Sequence, residues 1–438
     1  MSPGDLEMFG YGRRSMRVLL LGINYLPEET GIAPYTAGLA EYLADRGHEV
    51  TVVTGLPHYP AWRVFDGYRW RTWLREERNG VDVRRRWHYV PGRQSAIHRG
   101  LYEGTFLLTG LSAIALPRPD AVVGVVPSLS GGLLARLAAW RFRVPYGVIF
   151  QDLVGQAAKQ SGVGGGGRVA GVVRAAEGWA ARGAAAVGII AEGFRSYLES
   201  LGVQPARILR VRNWTHLQNR TVDRDVVREQ LGLPHDAIVC LHAGNMGHKQ
   251  GLEDVVECAR WAAQRDQRLL FVLLGDGSQR SHLEQLAAGY ALPNVRFLPI
   301  QPASIFPSIL AASDILLVNQ RGSVRDMSLP SKLTSYFAVG KPLVAAVQLT
   351  SEAAREIEAS GGGLVVAPDE PEVLLDALQR LADDEELCAQ MGKSAHTWSA
   401  AELSKAAAID DYKQLLTLVL AADSRGSVAA ETLKEVEI

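Results

Sequence analysis

A chain of 438 residues is too long for one ordinary domain and suits two or three. Its 47% apolar share can bury a large core, while a formal net charge of −1 excludes the strongly basic balance of a nucleic-acid binder. Three dispersed cysteines, Cys240, Cys258 and Cys388, exclude a disulfide framework and a thiolate metal site and read as reduced thiols of a cytoplasmic protein.

The total hides an asymmetry. Residues 1–215 carry 26 Lys+Arg and 17 Asp+Glu, a balance of +9, whereas residues 216–438 carry 20 and 30, a balance of −10. Opposite halves of this kind point to two domains with different partners. Only 8 of the cations are lysines, so where a lysine stands is informative.

Residues 1–15 are polar and read as an unstructured leader with no signal peptide. Arg17-Val-Leu-Leu-Leu-Gly-Ile23 is a continuous apolar run, as in a parallel strand buried on both faces. The loop Asn24–Ile32 follows, then a helix over about 33–46 closed by Gly47, then a strand over Val50–Thr54. This strand–loop–helix–strand unit opens a doubly wound α/β sheet. Its first turn lacks Gly-x-Gly-x-x-Gly, and no acid ends the second strand, which argues against a dinucleotide site.

Residues 57–100 are rich in Trp and Arg, among them Trp62, Trp70, Trp73, Arg84, Arg85, Arg86, Trp87, Arg93 and Arg99, and 101–116 are nearly apolar. The pattern fits peripheral contact with an anionic membrane through residues 57–116, or a core-facing crossover helix beside a solvated basic face. No run of about 20 apolar residues is long enough to span a membrane. Strands follow at Ala121–Val126 and Tyr146–Phe150, the latter ending in Gln151-Asp152. Ligands of open α/β sheets sit at the carboxyl ends of strands, which makes Asp152 a chemical candidate beside its alternative as a helix cap. The six glycines of 155–167 suggest a lid. Further strands at 184–190 and 208–211 lead to a polar linker over 215–225, where Asp223-Arg-Asp225 reads as helix-opening acids.

The second half restarts the pattern. A strand over 237–243 runs into Gly244-Asn-Met-Gly-His-Lys-Gln-Gly251 and a helix, a turn suited to cradling phosphate though not a P-loop. Strands at 271–274, 295–298, 315–318, 343–347 and 364–366 follow, with helices to about 420. Between Ser328 and Pro342 a short helix is bracketed by Pro330 on one side and Gly340 and Pro342 on the other. Ser331 and Lys332 fall in its first turn, either as a phosphate site or as the surface of an ordinary crossover helix.

Taken in order, the motifs are Gly22-Ile-Asn-Tyr-x-Pro-Glu-x-Thr-Gly-Ile32 with Pro34-Tyr35-Thr36, Gly124-Val-Val-Pro127, Gln151-Asp152 and Asn213-Trp214. They continue with Gly244-Asn-x-Gly-x-Lys-Gln-Gly-Leu-Glu253, Arg321-Gly322 and Leu329-Pro-Ser-Lys-Leu-Thr334 with Ala338-Val-Gly340. This set resembles the GT-B glycosyltransferases of family 4, nearest the bacterial colanic acid biosynthesis fucosyltransferases and related polysaccharide-assembly transferases. The resemblance implies two Rossmann-like doubly wound α/β domains facing across a cleft. Residues 16–213 would be the acceptor domain and 214–400 the nucleotide-sugar domain. Residues 401–420 would form a helix returning to the first domain, and 421–438 a disordered tail.

It implies a retaining transfer from a UDP- or GDP-linked sugar to a glycan or lipid-linked acceptor, with no cofactor and no metal. The setting would be cytoplasmic, at the inner face of the membrane. Without a metal, the leaving diphosphate must be neutralised by protein cations. Lys249, Lys332 and Arg321 are the candidates, with Gly31, Gly244, Asn245, Gly247, Gly275, Leu298, Ser331, Leu333 and Ser335 as further donor contacts. Glu28, Thr30, Tyr35 and Asp152 would meet the acceptor, and Asp152, Lys249, Lys332 and Asp326 would carry the chemistry. The chain departs from the family pattern in places. Ser335 and Met327 stand where glutamates are usual, with Asp326 one residue away from the second. Gln151 replaces a histidine, Asn245 an arginine and Gln250 a lysine. Competing readings are transfer to a small natural product, a nucleotide-sugar 2-epimerase, and a non-catalytic binding protein of the same fold.

Overall fold

The computed structural model describes residues 15–92, 95–153, 166–215, 217, 223–324 and 332–422. The chain forms two compact units. The first runs to Arg212 and takes in the chain from Ala408 onward, and the second is Asn213–Ala407.

Unit 1 is built on eight strands: β1 (Arg17–Leu21), β2 (Glu49–Gly55), β3 (Trp73–Arg78), β4 (Val81–Arg86), β5 (Ala121–Val126), β6 (Tyr146–Phe150), β7 (Ala186–Ile189) and β8 (Ile208–Arg210). Their order is β3-β4-β2-β1-β5-β6-β7-β8. All pairs are parallel except β3 with β4. The apolar runs become central strands because helices cover both faces, and β5, β6 and β7 are buried from end to end. Leu19 lies opposite Thr51 on one side and Val122 on the other, so strand order reverses about β1. The helix Lys405–Ala421 belongs here from Ala408 on. Its Asp411 accepts from Arg212 N–H at 3.0 Å, and Leu415 and Val419 fill the space over Gly147 and Gly188.

The β3–β4 hairpin lies within the stretch read from sequence as basic and aromatic only. Asn79 (φ 48°) and Gly80 (φ 76°) form its two-residue turn, the pairing that left-handed hairpin turns select. It also reassigns several arginines. Arg84 pairs with Asp82 at 3.0 Å, buried Arg85 pairs with Glu76 at 2.6 Å, and Arg86 donates to Ser112 Oγ at 2.7 Å. These three are consumed by the fold and do not form the solvated basic face expected of them. The apolar segment is a helix over Ala96–Gly110 followed by a 3-10 turn, Leu111–Ala115, capped at its start by Ser95.

Unit 2 holds β9 (Ile238–Asn245), β10 (Leu269–Asp276), β11 (Val295–Leu298), β12 (Ile315–Asn319), β13 (Leu343–Ala346) and β14 (Gly363–Val366) in the order β11-β10-β9-β12-β13-β14, all parallel. Alternate residues of each strand feed two separate apolar layers, Leu241, Val272 and Leu316 on one face and Cys240, Phe271 and Leu317 on the other. Asp223 caps the helix Arg224–Gln230, accepting from the N–H groups of Asp225 and Val226, as its spacing suggests. Among the described residues no helix is long and apolar enough to cross a membrane.

Candidate functional site

Strand order in unit 2 reverses between β9 and β12, and the carboxyl edge of a sheet at such a point is where an open α/β fold leaves room for a ligand. Here the two strand ends are laced together. Asn319, the last residue of β12, donates through Nδ2 to the carbonyls of Gln250 and Gly251, each at 2.8 Å. Arg321 donates to the His248 carbonyl and pairs with Glu253 at 2.8 Å, and its own N–H donates to the Lys249 carbonyl at 3.0 Å. The guanidinium expected to meet the donor therefore holds the phosphate-type turn in shape. Lys249 and Asn245 on that turn stay exposed.

Lys332 opens the helix Lys332–Ala338 and returns to β9. Its Nζ donates to Nε2 of His242 at 3.2 Å, and a Cβ on Gly244 would stand 2.8 Å from Lys332 Cε. One turn later Tyr336 accepts from Ala243 N–H at 2.9 Å. Successive turns of one helix thus grip successive residues of one strand. Burial lowers the Lys332 amine to about 8, and burial together with the neighbouring ammonium pushes His242 well below the ordinary histidine range. Lys332 keeps part of its surface open. Beside it, Gly275 at φ +138° faces Gly244 in register, and a side chain there would overlap the Gly244 carbonyl. This edge presents a sheltered cation and an exposed one around a glycine-lined floor, an arrangement that can neutralise a polyanion.

In unit 1 the loops after β1 and β2 are joined by Glu28. Its Oε1 accepts from His58 N–H at 2.7 Å and Tyr59 N–H at 2.9 Å, and its Oε2 accepts from Asn24 Nδ2 at 2.8 Å. His58 in turn meets the Tyr102 hydroxyl at 3.1 Å, and His88 packs edge-on to His58, pushed down to about 3 chiefly by burial. Gly31 (φ +72°) presses against the Tyr59 ring. At the end of β5, Glu103 accepts from the Ser128 and Ser130 hydroxyls at 2.9 and 2.7 Å. At the end of β6, partly buried Asp152 accepts from Leu153 N–H at 2.8 Å beside buried Gln151.

The sequence candidates separate accordingly. Gly244, Asn245, Gly247, Lys249, Gly275, Arg321 and Lys332 come together about the carboxyl ends of β9, β10 and β12. Leu298 ends β11, where its carbonyl accepts from Arg280 at 3.2 Å, and Ser335 is partly exposed on the Lys332 helix. Three of the candidates are buried. Glu28 is fully buried, and its carboxylate accepts from the loop amides of His58 and Tyr59. Leu333 is also fully buried, and its side chain belongs to the apolar core. Tyr35 is buried, with its hydroxyl held up at about 12 by desolvation. Thr30 remains exposed. Asp326, Ser331 and most of the glycine-rich lid lie outside the described residues. Sequence reasoning missed His242, Asn319 and Tyr336. The signal for His242 was a lone polar residue inside an apolar strand. Among the described residues no group of three or more His, Cys, Asp or Glu side chains is placed to hold a metal ion.

Comparison with known proteins bears on both units. Residues 30–214 match the family model of the glycosyl transferase 4-like domain, and residues 223–398 that of glycosyl transferases group 1. The chain is 34% identical over 381 residues to the putative colanic acid biosynthesis glycosyl transferase WcaI of Escherichia coli K12, spanning 83% of this chain and 92% of that one. Among solved structures, Anabaena Alr3699/HepE in complex with UDP superposes with a TM-score of 0.66 at 16% identity, covering 92% of this chain and all of that one. The sucrose-phosphate synthase of Thermosynechococcus elongatus superposes with a TM-score of 0.70 at 17% identity, covering 94% and 100%.

Proposed function

The chain belongs to the GT-B glycosyltransferases of family 4, akin to the colanic acid enzymes, and on that premise we propose that it moves a sugar from a nucleoside diphosphate to a growing glycan in polysaccharide assembly. The donor is assigned to the carboxyl edge of unit 2 and the acceptor to that of unit 1. The observation that carries the reading is the Lys332 ammonium, sheltered at the strand-order reversal with a neutral partner and, among the described residues, no carboxylate influencing its ionisation. A sheltered cation without a counter-charge is costly, and a diphosphate supplies that charge. Lys249, exposed on the adjoining turn, is the second diphosphate contact, and the glycine-lined floor at Gly244 and Gly275 admits the phosphates and base closely. The Asn245, Gly247 and Leu298 backbones, Ser331 and Ser335 complete the donor contacts in this reading. Asp152 lines the acceptor side, and Asp326 contacts the transferred sugar. The reaction proceeds with retention, the lysines taking the role a metal would have at the leaving diphosphate.

Isothermal titration of the wild-type protein with UDP and with GDP in the presence of EDTA tests this. Micromolar-range binding of at least one is expected, and a protein that binds neither sinks the donor site. Lys249→Ala is expected to weaken that binding by about 1 kcal/mol, near fivefold, because an exposed charge is screened.

A lipid-linked acceptor is favoured by one surface. Ile97, Leu101 and Leu108, spaced to share one side of the helix Ala96–Gly110, are all exposed, as are Trp70, Trp73 and Trp87. With exposed Arg71 they suit an anionic membrane interface. Co-sedimentation with vesicles containing phosphatidylglycerol is expected for wild type. The pair Leu101→Asp and Leu108→Asp is expected to lower it by at least tenfold, since each leucine buried in lipid contributes about 2 kcal/mol. Absence of wild-type binding at low salt would favour a soluble acceptor.

A further inference from the structure

His242 is fully buried in the middle of β9, on the face it shares with Cys240 and Gly244. Its neighbours in the strand, Leu241 and Ala243, are apolar, and an apolar residue would serve the sheet equally well. Instead its Nε2 lies 3.2 Å from Lys332 Nζ. We propose that His242 is a positioning residue for donor binding: its neutral imidazole accepts from the Lys332 ammonium and aims that charge past Gly244 without neutralising it. The inference rests on the donor-site reading above and assigns the residue that makes Lys332 effective.

The choice of partner decides what the lysine can do. A carboxylate at this position would form a buried ion pair with Lys332, and an incoming diphosphate would have to compete with it. A purely apolar side chain would leave the ammonium without an acceptor at the end of a flexible four-carbon stem. A neutral imidazole fixes the stem and leaves the positive charge for the ligand. Its neutrality is secured by burial and by the ammonium itself. Its Nδ1 makes no hydrogen bond within ordinary limits, although backbone groups of Asn245 and Leu317 favour a ring proton. The stem is confined from both sides. Gly244 leaves space only for the Lys332 Cε, and Tyr336, four residues on, locks the same helix to Ala243. Among the described residues the ring placed against the amine is His242 of β9, while the Tyr336 hydroxyl on the same helix is occupied by the Ala243 N–H. No described carboxylate or second cation contributes to the ionisation of the amine.

The test compares His242→Leu, His242→Gln and His242→Glu by titration with UDP and GDP from pH 6.5 to 9.5, with thermal melts recorded in parallel. Glutamine offers a neutral acceptor and is expected to keep affinity within about threefold of wild type. Leucine is expected to weaken nucleotide binding by roughly tenfold, as for a lost hydrogen bond to a charged group. It is also expected to move the pH midpoint of binding downward, because the ammonium has lost its acceptor. A purely structural role would not move that midpoint. Glutamate, isosteric with glutamine, is expected to abolish measurable binding. Leucine affinity within twofold of wild type with an unmoved midpoint overturns the proposal. If the leucine variant does not fold, the glutamine and glutamate variants decide, and equal affinities in that pair overturn it. Wild-type protein that binds neither nucleotide removes the donor site itself, and the role of His242 with it.

Discussion

Lys332→Ala is expected to weaken nucleoside diphosphate binding by about two orders of magnitude and to lower transfer at least as far. Truncating one partner of a sheltered charge pair costs about 2–5 kcal/mol, and about 3 kcal/mol corresponds to more than a hundredfold. Titration with UDP and GDP reads the loss, and affinity equal to wild type would remove Lys332 from the diphosphate site. The pH dependence has a definite sign. The free amine titrates near 8, below its ordinary value of 10.5, and only the ammonium attracts phosphate. Affinity should therefore fall as pH rises through about 8. A bound diphosphate raises the amine's pKa, so binding near pH 8 takes up a proton, visible as a dependence of the titration heat on the buffer's ionisation enthalpy. Stability moves the other way. Between about pH 8 and the ordinary lysine value the unfolded chain holds the proton more tightly, so this residue's contribution to stability rises with pH across that window. At neutral pH the charge is a cost to the free protein. Lys332→Ala, though it damages binding, is thus expected to leave the melting temperature unchanged or raise it.

Gly275→Ala is expected to be the most destabilising single methyl group in unit 2. The backbone holds φ at +138°, where an L side chain is strained, and the added Cβ would overlap the carbonyl oxygen of Gly244, its partner across β9 and β10. Backbone cannot yield there without breaking the parallel ladder. A loss of about 3 kcal/mol or more, or roughly 6–12 °C in melting temperature for a domain of this size, is expected. Gly289→Ala is the matched control: it ends the helix Arg280–Gly289 with nothing near the added methyl, and it should be neutral within about 0.5 kcal/mol. Similar melting curves for the two variants would show that the Gly244–Gly275 approach is not needed for folding.

The parts of the fold that could be read from sequence were those in which one physical cause dominates. Runs such as Val18–Leu21 and Val122–Val126 have no polar face, so they had to be central parallel strands. Lys332 stood out because lysine is scarce and because Pro330 and Gly340 bracket its segment. The β3–β4 hairpin was hidden because Arg and Trp, conspicuous as charge and aromatic content, masked the Asn79-Gly80 turn between two alternating strands. In the site, side-chain direction was what stayed hidden. Glu28 sits in a loop, where an acid suggests a ligand, yet its three hydrogen bonds to Asn24, His58 and Tyr59 need the tertiary fold to be seen. Leu333 follows Lys332 in the same motif but lies 100° around the helix, in the core. His242 offered the reverse case: a single imidazole in an apolar strand is ordinary until the lysine ninety residues later is placed against it.

The helix Lys405–Ala421 gives the molecule a schedule. Strands β6 and β7 are made early, but Leu415 and Val419, which cover Gly147 and Gly188, are translated only after the roughly 200 residues of unit 2 have emerged. At about 5–20 residues per second, that patch of the first sheet waits for some 10–40 s on the ribosome without its own lining. During that interval it is a natural client surface for a chaperone. A stop codon just before Lys405 would leave every described strand intact and still deprive unit 1 of this helix.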